Sequence, residues 1–178
     1  MVSKEFVSGL IVGEGHFGLN IIQVPRLKTA NGFKIMPRFA LHMNDERTMD
    51  LVIGAFKEWE LPVWVEPPRK PNGKRISMAG IKRTTRIAET FLPWLTGTKH
   101  EAASLMLEFN HLRLSKPQNS PYGEDEVRIV NRLREVNGGN FKHKRMLESS
   151  ETARRTRKSG TLLKLRDDTV RSHDESVS

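Results

Sequence analysis

Residues Phe6 to His16 read F-V-S-G-L-I-V-G-E-G-H, and they impose a change of backbone within one short stretch. Ser3 is suited to cap a helix whose apolar run, Phe6, Val7, Leu10 and Ile11, stops at Gly13 and Gly15, residues able to end a helix by turning left-handed. From His16 the pattern drops to period two, with Phe17, Leu19 and Ile21 on one side and His16, Gly18 and Asn20 on the other. A short buried helix therefore feeds a half-buried strand, and one carboxylate, Glu14, stands among the glycines between them.

The rest of the chain repeats that order. Phe33, Ile35, Pro37, Phe39 and Leu41 alternate with Lys34, Met36, Arg38, Ala40 and His42 as a second strand, after a loop ending in the hairpin signal Asn31-Gly32. Asn44 opens a helix with Asp45 and Glu46 in its positive first turn and Leu51, Val52, Ala55, Phe56 and Trp59 as its stripe. Leu61 to Glu66 and Arg75 to Ile81 read as a second strand pair around Pro67-Pro68 and Asn72-Gly73. Ile87, Phe91 and Leu95 continue as a helix. A capping box, Thr98 to Glu101, opens another with Ala102, Leu105, Met106, Phe109 and Leu112. Val127, Val130, Leu133 and Val136 give one more, closed by Gly138-Gly139.

Composition limits what this arrangement can do. The 178 residues, 37% apolar, fit one globular domain with a tail, residues 1–141 and 142–178. Thirty Lys and Arg against 21 Asp and Glu leave +9, which favours a polyanionic partner. Phe6 to Val12 is far shorter than the ~20 residues that cross a bilayer, and Glu5 argues against a signal peptide, so an intracellular, non-membrane protein is expected. With no cysteine, any catalysis rests on oxygen or nitrogen groups. No pair of the six histidines has helical ligand spacing with a third ligand nearby, which removes a zinc site.

Gly13 to Gly18 matches G-x-G-x-x-G, but a strand rather than a helix follows and no acid stands about twenty residues on, against a dinucleotide site. The chain is also too short for the two lobes of a kinase. Gly9 and Gly13, four apart on the first helix, each cost about 1 kcal/mol relative to alanine and so call for a packing reason. Either another backbone approaches along a seam bordered by Ser8 and Val12, or the helix packs closely on the protein's own sheet.

Ser8 to Gly15, S-G-L-I-V-G-E-G, resembles the LAGLIDADG motif of homing endonucleases, and the order of elements agrees over roughly residues 3 to 113. Val12 stands where the family often has an acid, and Ser8 replaces the usual alanine. The resemblance implies an α+β fold with an αββαββα core, a curved antiparallel sheet on one face and extra C-terminal helices. A single motif resembles the homodimeric branch, with Ser8, Gly9, Val12 and Gly13 at the dimer interface and one Glu14 per subunit delivered to each scissile phosphate. Metal-dependent double-strand cleavage of a long pseudo-palindromic DNA site, leaving 3′ overhangs, follows. Mg²⁺ would be held by Glu14 and the Gly13 carbonyl, with Mn²⁺ able to substitute and Ca²⁺ binding without cleavage. The positions matching the family's water-organising residues are Asp45, where glutamine is common, and Lys99. Asp45 reads equally as a helix-start acid.

The polar strand faces point to DNA on their own chemistry. His16, Asn20, Lys34, Arg38, His42, Arg75 and Ser77 can reach base edges or phosphates, with Arg38 suited to guanine and Asn20 to adenine. Gln23, Arg26, Lys28, Arg69, Lys70 and Lys74 lie on or beside hairpin loops, where phosphate contact is expected. Residues 142–166 hold nine basic and two acidic side chains, suited to an added DNA-gripping helix or a phosphate-binding tail. Two other readings stay open: a family member that has lost cleavage and acts as an intron RNA maturase or DNA-binding regulator, and an unrelated basic RNA-binding protein.

Overall fold

The computed structural model describes residues 2–24, 33–67, 73–118 and 120–138, all within one compact unit that ends at Asn140. Arg26, Lys28, Arg69, Lys70, the Asn31-Gly32 turn and residues 142–178 lie outside the described residues.

Helix α1 (Lys4–Glu14) begins as its sequence dictates, with the Ser3 hydroxyl accepting the Phe6 N–H at 3.2 Å. Val7 and Ile11 are completely buried beneath it. At its end Gly15 starts β1 (Gly15–Gln23) without an intervening loop. A Cβ at that glycine would stand 2.6 Å from the Ile11 carbonyl oxygen, so only glycine allows so abrupt an exit.

Three antiparallel strands form the sheet in the order β1-β2-β3, with β2 spanning Phe33–Met43 and β3 Lys74–Ala79. The register pairs Phe17 with Phe39 and Leu41 with Ile76 on one face, and His16 with Ala40 and Ala40 with Ser77 on the other. The alternation read from the sequence thus decides which face is covered. Pro37 fits within the central strand because it lies just past the β3 ladder, where its missing N–H forfeits no bond; its carbonyl accepts the Gly80 N–H at 2.9 Å. Farther along the same edge, the Tyr122 hydroxyl accepts the Ile35 N–H at 2.8 Å.

Helices α2 (Glu46–Glu58), α3 (Ile81–Phe91), α4 (Gly97–Leu114) and α5 (Glu124–Val136) complete the described fold. They bury Met49, Val52 and Phe56 of α2, Ile87 and Phe91 of α3, and Met106 and Phe109 of α4 without residual exposure. At about 25 cal/mol per Å², this shared apolar layer is the main source of stability. Asn137, just past α5, donates to the Phe17 carbonyl at 2.8 Å and so occupies part of the outer edge of β1.

Four local expectations are corrected. Asp45, not Asn44, caps α2. Helix α4 starts at Gly97 behind Thr96 rather than through a Thr98 capping box, since Gly97 takes a φ of +56°. Helix α3 stops at Phe91 and tightens into a single 3₁₀ turn, Leu92–Trp94, because Pro93 cannot donate to a continuing α-helix. Leu61 to Glu66 is not a full strand. Val65 bridges Ile76, and among the described residues two main-chain bonds, Glu66 N–H to Arg75 and Ser77 N–H to Trp64, tie the segment to β3. Prolines at 62 and 67 remove donors at both ends of it. Among the described residues no helix is long and apolar enough to cross a membrane.

Candidate active site and nucleic-acid interface

Glu14 is the last residue of α1 and its side chain is exposed. The Gly15 N–H closes back on the Ile11 carbonyl, leaving the final carbonyls of the helix, Gly13 included, with no helical donor ahead of them. A carboxylate at the negative end of a helix, with no basic residue in the last turn, is in an unfavourable field for an anion and a favourable one for a cation. The donors here are hard oxygens, which fits Mg²⁺ or Ca²⁺. Among the described residues no three His, Asp or Glu side chains gather into a metal site, so one chain offers a single carboxylate at this point.

Lys99, in the first turn of α4, reaches the same place: its ammonium donates to the carbonyl of Gly15. Its neighbour across the helix-strand junction is His16, whose pKa is held below the usual histidine value, first by partial burial and then by the positive fields of Lys99, Arg75 and Arg38. His16 is therefore neutral at pH 7, though its exposure to solvent screens these fields. Glu14, Lys99 and His16 thus share one end of the sheet. Asp45 follows β2 at that end, since Leu41 pairs with Gly15. Its oxygens, however, accept the Arg47 N–H at 3.0 Å and the Thr48 hydroxyl at 2.6 Å, and these bonds, Thr48 foremost, lower its pKa. The helix-start reading of Asp45 is what the geometry displays.

The uncovered face of the sheet holds His16, Asn20, Lys34, Arg38, His42, Arg75 and Ser77 together, as the register requires. His42 stands opposite Arg75, and Arg38 opposite Ala79. Gln23 ends β1 beyond them. Lys74 does not join this set. It takes the phase of Ile76 and Met78, towards the helices, and its ammonium binds both Asp50 oxygens at 2.7 Å, with Glu46 at 3.7 Å. Its charge is already matched there, and its pKa is raised mainly by the Asp50 bond.

Helix α1 also differs from expectation in its facing. Ser8 is 1% exposed, on the inner side with Val7 and Ile11, and its hydroxyl has no hydrogen-bond partner, so it cannot border an outward seam. The outer stripe is Phe6, Gly9, Leu10 and Gly13, at one-turn spacing, with Val12 half-buried beside it and Phe6 48% exposed. A Cβ added at Gly9 or Gly13 would meet nothing within 4 Å. Close packing on the chain's own sheet therefore does not explain these glycines.

The sequence marks Glu66 as the acid exception among the basic strand faces and offers Trp64 either for stacking on a sugar or for filling a gap at the sheet edge, without giving either a site role. Both lie beside β3 on the open face, Glu66 opposite Arg75 and Trp64 opposite Ser77, and Trp64 is 63% exposed. Phe6 and Leu10 join the glycines of the outer stripe, beyond the seam residues expected from the sequence. The signal for Glu66 was its sign, an acid in otherwise basic strands.

This arrangement is the fold of the LAGLIDADG homing endonucleases. The homing endonuclease I-TnaI superposes with a TM-score of 0.67 at 18% identity, over 84% of this chain and 98% of its own. I-CvuI, a homing endonuclease in complex with its target in the presence of Ca, gives 0.65 at 12% identity over 84% and 93%. The LAGLIDADG meganuclease I-CpaMI, bound to uncleaved DNA, gives 0.66 at 16% identity, covering 86% of this chain but 50% of its own. No protein-family model matches the chain, and no curated protein sequence does.

Proposed function

We propose that this chain is a LAGLIDADG-type homing endonuclease: a homodimer that makes a metal-dependent double-strand break in a long pseudo-palindromic DNA site and leaves 3′ overhangs. The observation that carries the reading is an exposed Glu14 carboxylate at the helix-strand junction, set at one end of a basic, uncovered sheet face. The neighbours support it, since I-CvuI and I-CpaMI are both bound to DNA.

The dimer is supported by two features. The outward glycines of α1 have open space where side chains would be, as a seam for a second backbone requires. Residues 1–178 also match almost the full length of I-TnaI and I-CvuI but half of I-CpaMI, so they hold one copy of the fold and a second copy is needed to supply a second Glu14. Two copies packed along Phe6, Gly9, Leu10 and Gly13 bring two Glu14 carboxylates to the dyad.

In this reading Glu14 and the Gly13 carbonyl hold Mg²⁺, which when bound lowers the pKa of water and offsets charge on the leaving oxygen. Lys99 holds the α1–β1 junction through Gly15 and supplies a positive charge beside the scissile phosphate. His16, neutral at pH 7, accepts a hydrogen bond or a proton from water on that side of the sheet. Asn20, Lys34, Arg38, His42, Arg75 and Ser77 meet the major groove, and Arg38 is placed for guanine. Gln23 and the loop residues Arg26, Lys28, Arg69 and Lys70 contact phosphates.

The test is cleavage of a randomised plasmid library by wild-type protein in Mg²⁺, with a Ca²⁺ arm for binding alone. Recovery of one cut sequence with approximate two-fold symmetry supports the proposal. Tight binding to a selected site with no nick in Mg²⁺ or Mn²⁺ favours instead the maturase or regulator reading, for which intron RNA is the partner to assay. For the dimer, Gly9→Leu should leave the subunit folded yet convert it to a monomer on a sizing column. A wild-type protein that is already monomeric at micromolar concentration contradicts the seam.

A further inference from the structure

Glu66 is an anomaly on a face suited to a polyanion. Among the described residues β1, β2 and β3 place no carboxylate on that face, and the segment beside β3 places this one. A free carboxylate there would repel phosphate, yet Glu66 is not free. Its main-chain N–H donates to the Arg75 carbonyl at 2.8 Å, which fixes it directly opposite that arginine. Its Oε1 accepts from the Arg38 guanidinium and stands 3.6 Å from the Nε of Arg75. The Ser77 hydroxyl also hydrogen-bonds to the carboxylate. Surrounded in this way, the Glu66 side chain keeps only 9% of its exposure, whereas the two arginines keep 31% and 40%.

The route that Arg38 takes is informative. It starts on β2, while Glu66 lies beyond β3, so the arginine spans the intervening strand. At those rows β3 offers only Ala79 and Ser77 to the face, and these small side chains leave room for the crossing. Two long cations that could each swing among many rotamers are thus gathered at one oxygen. The Arg75 Nε is buried without a hydrogen-bond partner, held towards Glu66 but beyond bonding distance. Each guanidinium has five donors in a rigid fork, so both retain N–H groups for a ligand above the face.

We infer that Glu66 is a specificity-determining positioning residue, which pins Arg38 and Arg75 flat across the sheet so that their remaining donors meet base edges instead of swinging out to phosphates. The inference rests on the DNA-binding reading above. Phosphate contacts are insensitive to sequence, whereas a bidentate arginine on guanine discriminates between bases. Holding a carboxylate in the interface therefore lowers general affinity and raises selectivity.

The test uses the full chain in Ca²⁺ and a synthetic duplex library with a randomised core, selected in parallel with wild type, Glu66→Gln, Glu66→Asp, Arg38→Ala and Arg75→Ala. Wild type should enrich a defined site. Glu66→Gln should lose about 10-fold discrimination only at the base pairs that become degenerate in the two arginine variants. Its binding to a duplex of unrelated sequence should tighten and depend more steeply on salt, by about one further phosphate contact. Glu66→Asp, which keeps the charge, should recover part of the preference. Base preferences that survive in Glu66→Gln, with only a general gain in affinity, overturn the inference, as does a uniform loss at every position with a lowered melting temperature. A wild-type protein that enriches no sequence overturns the DNA reading itself.

Discussion

Two acid-base clusters in this molecule share one composition, a glutamate between two cations, and differ in what they leave free. At the α4–α5 connection Glu126 has no exposure; Arg113 reaches it at 2.9 Å and Lys116 at 2.7 Å, and the Gly123 N–H donates to it as well. The Arg113 side chain is 10% exposed, with its guanidinium 4.6 Å from the Tyr122 ring and a further bond to the Ser120 carbonyl at 3.1 Å. On the sheet face Glu66 is almost as covered, but its arginines are three to four times more exposed than Arg113. In the first cluster Arg113 places its donors inside the fold and, with Tyr122, ties a loop to the β2 edge, while Lys116 stays 33% exposed. The second keeps donors facing outwards. On the DNA-binding reading proposed above, the arginine whose donors are taken up inside the fold serves stability, and the two that keep donors outside serve recognition.

Substitutions at four positions, and titration, can break that distinction. Glu126→Ala leaves two cations facing an empty buried site and should cost about 3–5 kcal/mol, lowering the melting temperature by roughly 6–20 °C for a chain of this size. A calorimetric shift no larger than that of Glu66→Ala would erase the contrast. Removal of Arg38 or Arg75 should leave the melting temperature nearly unchanged while costing about 1–3 kcal/mol of base discrimination, read by competition binding against single-base variants of the selected site. Glu66→Gln should alter stability by less than about 1 kcal/mol, because the amide keeps an acceptor for Arg38 and both arginines, 31% and 40% exposed, still reach water.

The titration gives the smallest effects. Glu126 has a pKa held below the usual glutamate value: burial alone would raise it, but Lys116, the Gly123 N–H and Arg113 together prevail. It therefore contributes stability that is present above the ordinary glutamate range and lost as pH falls through its lowered value. His16 has the opposite chemistry with the same outcome. Its folded pKa lies below the ordinary histidine value, so the unfolded chain takes up the proton first and stability declines as pH drops through about 6.5. A bound phosphate would raise the pKa of His16, so DNA binding should take up protons and strengthen modestly between pH 8 and 6, and His16→Asn should abolish that slope. A pH-independent affinity in wild type would remove His16 from the interface.

The sequence made the sheet faces legible because a strand has a period of two and its polar side is nearly free of acid. Glu14 was legible because glycines bracket it at a helix-to-strand change. The facing of α1 was not, since Phe6, Val7, Leu10, Ile11 and Val12 make the helix apolar almost all round and Ser8 could sit on either side. Lys74 was misplaced because adding one residue to the start of β3 turns its side chain to the helix face. The ion pairs of Glu66 and Glu126 were not legible for another reason. Their partners lie 9 to 28 residues away or across an irregular segment, and no periodicity records such contacts.

The central claim is that Glu14 is the carboxylate on which cutting depends, while the sheet face does the binding. The most direct measurement places wild type and Glu14→Gln on the same selected DNA site, with cleavage followed in Mg²⁺ and affinity in Ca²⁺. The account predicts that the variant binds within a few-fold of wild type and does not cut either strand. Cleavage by Glu14→Gln at a rate near that of wild type would contradict it.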